Sequence, residues 1–216
     1  MSDRTKVRRV PDRGVYDVST IREILDANFL CHLGITTGHG PVVLPTLYAR
    51  DGDSLLLHGS AGAHTLREAK SGNPVCVTVA EVNGIVVARS AFHHSINYRS
   101  VVVFGVATEV VDVEEKLRAM QVLTNHMLPG RWDECRRPNS SEFTQTTLLR
   151  LPLDEASAKV RTGPPKDDEE DYALPTWAGV IPVRREMGGL VPDPLNAETT
   201  GVDSSVTAAT EKWRTP

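Results

Sequence analysis

The stretch RSAFHHSINYRSVVVFG, residues 89–105, decides the fold class of this chain. Its second half is an apolar run rich in valine, and such runs are typical of a strand buried in a sheet. Gly105 interrupts that run, where a bulge or a close backbone approach is expected. The first half carries hydroxyl, imidazole, phenol and guanidinium groups, which predicts a binding site where a core strand begins. The candidate binding residues there are Ser95, Tyr98, Arg99 and Ser100.

A second candidate segment lies upstream, in LLLHGSAGAHTLREAKSGNPVCVTV, residues 55–79. A short apolar strand runs into the small residues around Gly59, which let a ligand approach the backbone closely. A brief helix is expected from about residue 63 to 71, and the free N–H groups of a helix start favour a phosphate. A strand–turn–helix corner without a ligand is the alternative. The side-chain donors expected in this corner are His58, Ser60, His64 and Arg67.

Length and composition indicate one ordinary soluble domain. The 216 residues include 24 Lys and Arg against 28 Asp and Glu, a formal net charge of −4, which provides no strong basic field for nucleic acid. The three cysteines are too scattered for a disulfide framework, so a reducing cytoplasm is the simplest setting. The sequence shows neither a signal-like apolar region nor a run long enough to span a membrane. We therefore expect a cytoplasmic protein without nucleic-acid or membrane partners.

Short valine-rich runs separated by turn signals predict a mainly β protein, an antiparallel β-barrel of about seven strands with peripheral helices. Asp51-Gly52 and Asn83-Gly84 are each expected to form a tight turn between two strands. Asp112 is expected to begin a helix whose apolar stripe places Met120 and Met127 in the core. Neither a GxGxxG nor a GxxxxGK[ST] motif occurs, which argues against the usual Rossmann and P-loop folds.

Changes in composition divide the chain into three regions: a flexible N-terminus (1–11), a barrel domain (12–185) and a polar, flexible tail (186–216). The tail is rich in Gly, Pro, Thr, Ser and Asp, which disfavours a packed structure. Residues 158–165 are expected not to continue a regular strand. Trp177 belongs to an apolar patch that is expected to pack back onto the barrel.

Four quoted stretches carry a family resemblance: PTLYARDGDSLLLHGSA (45–61), ARSAFHHSINYRSVVVFG (88–105), MLPGRW (127–132) and SAKVRTGPPKDDEEDYALPTWAGVIPV (157–183). Together they resemble the pyridoxamine 5′-phosphate oxidase-related, flavin-nucleotide-binding family, which is similar to the nitroimidazole-resistance proteins. The resemblance covers about residues 12–183. It implies an FMN-binding split barrel that forms a homodimer and holds the flavin at the subunit interface.

The resemblance also implies which residues contact the flavin. The strand along the isoalloxazine ring would be Leu44, Pro45, Thr46, Leu47 and Tyr48. The phosphate corner would be His58, Gly59, Ser60 and the helix start at His64, where relatives that bind phosphate strongly often carry Arg or Lys. The segment that closes on the flavin would be Ser95, Tyr98, Arg99 and Ser100, with Tyr98 as the candidate catalytic proton donor. The tail segment that reaches the site, from the same or the other subunit, would be Lys159, Arg161 and Trp177.

The expected activity is that of a flavin-dependent oxidoreductase acting on a small planar acceptor, with FMN as the usual cofactor and FAD or a deazaflavin as alternatives. The competing hypothesis is a protein that stores, senses or carries flavin or haem without turnover, and pyridoxamine-phosphate oxidation is a third. Since HExxH and zinc-spaced Cys/His motifs are absent from the sequence, we expect no metal site. If haem binds, the candidate axial ligands are His58, His64, His93 and His94.

Overall fold

The computed structural model describes residues 2–197 and 199–214. Within those residues, ten strands form one antiparallel sheet and six α-helices lie at its connections. The strands are β1 (Gly14–Val15), β2 (Leu30–Thr37), β3 (Gly40–Asp51), β4 (Ser54–Ser60), β5 (Pro74–Val87), β6 (Ser95–Val106), β7 (Thr108–Glu109), β8 (Thr146–Pro152), β9 (Glu155–Arg161) and β10 (Gly179–Pro182). The helices are α1 (Val18–Asp26), α2 (His64–Ala69), α3 (Val113–Met127), α4 (Arg131–Glu134), α5 (Ser140–Gln145) and α6 (Ser204–Lys212).

The strand order is β1-β9-β6-β5-β2-β3-β4-β8-β7, and β10 pairs with β5 outside this path. Alternate residues point into the barrel, as the pleat of a strand requires: in β2, Cys31, Leu33 and Ile35 are buried, whereas Leu30 and His32 are exposed. The predicted antiparallel β-barrel with peripheral helices is therefore confirmed. In the part of the chain that the structure describes, every helix is too short or too polar to cross a membrane.

Strands β4 and β8 are buried on both faces. Leu55 and Leu57 fill the barrel interior, while Leu56 points outward and packs with Met120 and Leu148 beneath α3. Helix α3 begins at the predicted residue, because the carboxylate of Asp112 accepts a hydrogen bond from the backbone N–H of Glu115 at 2.9 Å. These contacts place a layer of helices over the outer face of one half of the sheet.

The predicted turn at Asn83-Gly84 is wrong. Strand β5 continues through it, and the shift in register with β6 between Val82 and Gly84 marks a bulge. Strand β10 lies against this second half of β5, where a Cβ on Gly84 would come within 2.7 Å of the Val180 side chain. The glycine is required for a close approach between strands, so the two predicted strands are one.

The C-terminal third is more regular than its composition indicates. Strand β9 pairs with β6 as far as Arg161. The sequence predicted that regular strand structure would already end at residue 158. Helix α6 lies in the segment expected to be a flexible tail, and Trp213 just beyond it is 3 % exposed. The Trp213 ring meets Phe29 at 4.7 Å between centroids, and its Nε1–H donates to the carbonyl of Met127 at 2.7 Å. The N-terminal region also packs on the body, since Thr5 is 2 % exposed.

We predict that Trp213→Ala releases α6 from the body, because it removes both the aromatic packing and the buried hydrogen bond. Loss of a buried tryptophan typically costs about 3–5 kcal/mol. Amide hydrogen exchange should show loss of protection across 204–213, while β4 and β8 stay protected. The matched control is Trp177→Ala, since Trp177 is 65 % exposed. Equal protection of α6 in the two variants would show that Trp213 does not hold the helix.

Candidate functional site

A cavity of about 350 Å³ lies between the outer face of β3, β4 and β8 and the helices α3 to α5. We call it the helix-covered cavity. Its size is in the range of small-molecule sites, which are mostly apolar with a few polar groups. Its apolar walls are formed by Phe29, Leu47, Tyr48, Met120, Leu123, Met127, Trp132 and Leu148.

His58 lines this cavity from the sheet side, on β4. It shares the outward face of β4 with Leu56, because side chains alternate along a strand. Its Nδ1 is buried and has no hydrogen-bond partner among residues 2–197 and 199–214. Burial lowers the pKa of His58 below its usual value of 6.5, so the imidazole is neutral at neutral pH. A buried nitrogen without a partner costs free energy, and a bound group can recover that cost.

The wall of the cavity carries one cation in a fixed position. Arg136 donates two hydrogen bonds to Glu142, at 2.7 and 2.9 Å. The side chain of Glu142 also accepts from the backbone N–H of Asn139 in the capping box of α5. Arg136 and this N–H lower the pKa of Glu142 to about 2. The guanidinium of Arg136 is therefore held where it can meet an anionic edge of a ligand, with Cys135 beside it.

Three of the sequence-predicted residues meet in this cavity: Leu47, Tyr48 and His58. Tyr48 is also a core residue, since it is 1 % exposed and its hydroxyl donates to the carbonyl of Leu25 at 2.6 Å. Leu44 and Pro45 are exposed and Thr46 is half-buried, further along the same strand. The cavity residues that sequence reasoning missed come mainly from the helices. Met120 and Met127 were predicted as helix core; Met120 does pack in the core, Met127 is half-buried, and both line the cavity.

The predicted phosphate corner is compact. Gly59 packs tightly, since an added Cβ would lie 2.7 Å from the Leu66 side chain, and the Ser60 hydroxyl accepts from the N–H of Gly62 at 3.2 Å. The helix that follows has six residues. His64 at its start lies 3.5 Å from Glu68, and Arg67 is exposed. The phosphate role of this corner stays a prediction.

The other predicted residues lie on β6 and β9, where Tyr98 pairs with Arg161 and Ser100 with Lys159. Both arginines have partners within the chain. Arg99 donates from Nε to Glu81 at 2.5 Å and from Nη1 to Glu23. Arg161 is 8 % exposed and donates to Asn97 and to the carbonyl of Pro164. Their roles as flavin donors remain predictions, since each also has a structural role.

Several candidates lie apart from both groups. Ser95 begins β6, opposite Val86. Trp177, expected to pack onto the barrel, is 65 % exposed and contacts Gly179. The adjacent histidines lie on the connection between β5 and β6, where His93 faces Asp168 at 3.3 Å and His94 the carbonyl of Ser90 at 3.0 Å. Among the described residues, groups of three His, Cys, Asp or Glu side chains suited to a metal ion do not occur.

The two groups of predicted flavin contacts are separated within one chain. Strands β5 and β2 lie between β6 and β3, which places β6 roughly 14 Å from β3 at the usual strand spacing. A single ring that touches both groups would therefore have to bridge the two strands between them.

A second cavity, of about 320 Å³, lies on the outer face of β2 and β5 beside the segment that follows β10. We call it the outer-face cavity. Leu30 in this cavity pairs directly with Leu47 of the helix-covered cavity, and Phe29 lines both. Sequence reasoning did not select Phe29 or the pair Arg184 and Arg185. The two adjacent arginines are a sequence signal for an anion site, but their position beside β5 depends on the pairing of β10.

The antiparallel barrel and its apolar, histidine-containing cavity define a small β-barrel protein with a cavity of ligand size. The chain belongs to the pyridoxamine 5′-phosphate oxidase family, whose sequence model matches residues 17–160. A search of curated proteins found no match.

Solved structures resemble almost the whole chain. The flavocytochrome Anf3 from Azotobacter vinelandii is 38% identical, with a TM-score of 0.92 and 96% of each chain covered. The FAD and heme binding protein from Mycobacterium smegmatis is 33% identical, with a TM-score of 0.90, 94% of this chain and 100% of that chain covered. A candidate 5-nitroimidazole antibiotic resistance protein from Bacteroides thetaiotaomicron is 22% identical, with a TM-score of 0.58, 68% of this chain and 86% of that chain covered. This last similarity shows the shared fold.

The lowered pKa of His58 predicts how stability depends on pH. At pH values below 6.5, the ordinary pKa of histidine, His58 takes up a proton in the unfolded chain. In the folded chain it takes up that proton only at lower pH. The unfolded state then binds more protons, so the free energy of unfolding falls as pH decreases from about 7 towards 5.5. Urea denaturation of His58→Gln should show a shallower fall than the wild type. His64→Gln, with an exposed imidazole, is the control, and a wild-type slope in His58→Gln would contradict the prediction.

Proposed function

We propose that this protein is a flavin- and haem-binding redox protein that passes electrons from a reduced donor to a small acceptor. The observation that carries the proposal is His58, whose buried Nδ1 lacks a partner in the structure described, on the floor of an apolar cavity of about 350 Å³. A neutral imidazole beside an apolar slot is what haem iron requires of a protein. Two relatives, 38% and 33% identical, are named as a flavocytochrome and as a FAD and heme binding protein.

The helix-covered cavity fits a haem in its donors and in its walls. His58 would ligate the haem iron, and the apolar side chains of α3 and β8 would shield the group from water. Arg136 already makes paired hydrogen bonds to Glu142 at the wall, so it would meet a propionate with its remaining N–H groups. Of the four histidines proposed from sequence, only His58 lines this cavity.

The flavin would lie between two subunits, where a second copy of the chain could bring the predicted contacts on β3 and β6 to the same ring. A row of exposed isoleucines supports a second copy as the partner. Ile181, Ile85 and Ile96 are direct neighbours across β10, β5 and β6, and they are 50, 46 and 43 % exposed. A contiguous apolar row of this kind marks an interaction surface. A homodimer would cover it.

We propose FAD as the flavin, where the sequence led to FMN, because the 33% identical relative is named for FAD. Bound flavin and haem together would link two-electron and one-electron transfer. Each part of the cavity would have its own role. His58 would ligate the iron, Arg136 would orient the cofactor, and the methionines and Trp132 would exclude water. Tyr98, half-buried on β6, stays the candidate proton donor.

The first experiment is the visible spectrum of freshly purified protein, with mass identification of the released cofactors. We expect a Soret band together with flavin bands, and in His58→Ala a Soret band that is lost or reduced at least tenfold while the flavin remains. His64→Ala is the control, since its imidazole is exposed on α2. A chain that takes up neither cofactor would disprove the proposal, as would a normal Soret band in folded His58→Ala. Reduction of the bound flavin by a nicotinamide cofactor, followed by reoxidation with an acceptor, would separate an enzyme from a storage protein.

The isoleucine row gives a test of the dimer. We expect Ile85→Lys to produce monomers in light scattering, because a buried ammonium opposes association. The variant should lose flavin but keep haem, since one chain builds the whole helix-covered cavity. Val111→Lys, at a residue that is 78 % exposed, is the control. A dimeric Ile85→Lys with unchanged flavin content would refute this interface.

A further inference from the structure

The outer-face cavity has an excess of positive charge. Arg184 and Arg185 form one wall, and Glu81 is its only carboxylate in the part of the chain described. That carboxylate accepts a hydrogen bond from Arg99 at 2.5 Å and its side chain is 12 % exposed. Because Glu81 is already neutralised, the two arginines are left to attract an anion.

The two arginines differ in how they are held. Arg185 donates to the carbonyls of Ala27 and Trp213, both at 2.9 Å, and lies over the rings of Phe29 and Trp213. It is a fixed part of the wall. The guanidinium of Arg184 is exposed and makes neither a hydrogen bond nor an ion pair with any described residue. Arg184 can therefore turn its fork of donors to a ligand, and such forks match phosphate oxygens.

The rest of the cavity suits a flat, weakly polar ring. Leu30, Val82 and Val183 supply apolar contacts at its rim, and the exposed His32 adds a hydrogen-bonding group on β2. The bulge between Val82 and Gly84 lies beside this space, since Val82 and Asn83 both line the cavity. A cavity of about 320 Å³ is at the lower end of small-molecule sites.

We infer that the outer-face cavity binds the adenosine diphosphate part of a dinucleotide, with the diphosphate at Arg184 and the adenine against Leu30 and Val82. Where the dinucleotide is FAD, this inference rests on the proposed function. The cavity opens on the sheet face where the flavin ring is proposed, and the Leu30–Leu47 pair joins it to the helix-covered cavity. A nicotinamide dinucleotide carries the same diphosphate and adenosine, so the experiment must distinguish the two sources.

The test measures binding of ADP by calorimetry to the full chain after bound flavin has been removed, because a bound FAD would itself occupy the cavity. We expect Arg184→Gln to weaken ADP binding at least about tenfold, because a charged hydrogen bond is lost. Arg184→Lys should weaken ADP binding less. Arg9→Gln removes the same charge from an exposed site outside the cavity and should leave ADP unchanged. Arg185 is unsuitable for the test, because its loss would disturb the packing of Trp213.

Comparison of FAD with FMN identifies the source. If FAD binds at least about tenfold more tightly than FMN and Arg184→Gln removes the difference, the cavity belongs to FAD. If the two flavins bind equally but ADP displaces a nicotinamide dinucleotide, the cavity belongs to the electron donor. Absence of ADP binding, or equal ADP affinity in Arg184→Gln and Arg9→Gln, would overturn the inference even if flavin and haem are bound. A protein that binds ADP through Arg184 but no flavin or haem would keep the inference and remove the proposed function.

Discussion

Burial of β4 and β8 on both faces is the constraint on which the rest of the structure depends. Leu55, Leu56 and Leu57 are consecutive and each is 0 % exposed, and burying a leucine contributes about 1.5–3 kcal/mol. An ordinary barrel buries only alternate residues, so the outward Leu56 requires a second layer. Helix α3 supplies it. The next outward residue of β4 is His58, and it therefore faces the same covered space instead of solvent.

Local sequence signals predicted the ends of strands and helices correctly where the residues at that end determine them. Asp112 begins α3 as predicted, and Asp51-Gly52 connects β3 to β4. The signal at Asn83-Gly84 failed because the same dipeptide suits a hairpin and a bulge. The outcome there is set by β10, almost a hundred residues later in the chain, which pairs with the bulged strand. Composition failed in the tail for a similar reason, since the burial of Trp213 against Phe29 cannot be seen locally.

The candidate site shows the same division. His58 could be selected from sequence because a polar residue at the end of an apolar strand is conspicuous. The rest of the cavity lining could not be selected, because most of it comes from α3, α4, α5 and the connections between them. Arg99 illustrates information that the local sequence lacks. Its predicted contact with the flavin stays a prediction, and the fold also places Glu81 and Glu23 beside it. Nothing in the local sequence shows whether an arginine has an internal carboxylate partner.

Both cavities depend on parts of the chain beyond the family match at residues 17–160. The segment Val183–Arg185 forms a wall of the outer-face cavity, and Trp213 supports Phe29, which lines both. Phe29, the residue that the two cavities share, is thus packed against the C-terminal segment. The barrel provides the sheet face, and the C-terminal extension forms a wall of one cavity and supports a residue that lines both. Two solved structures match this chain over more than nine-tenths of its length, well beyond the end of the family match at residue 160, so this C-terminal packing has to be explained separately from the barrel.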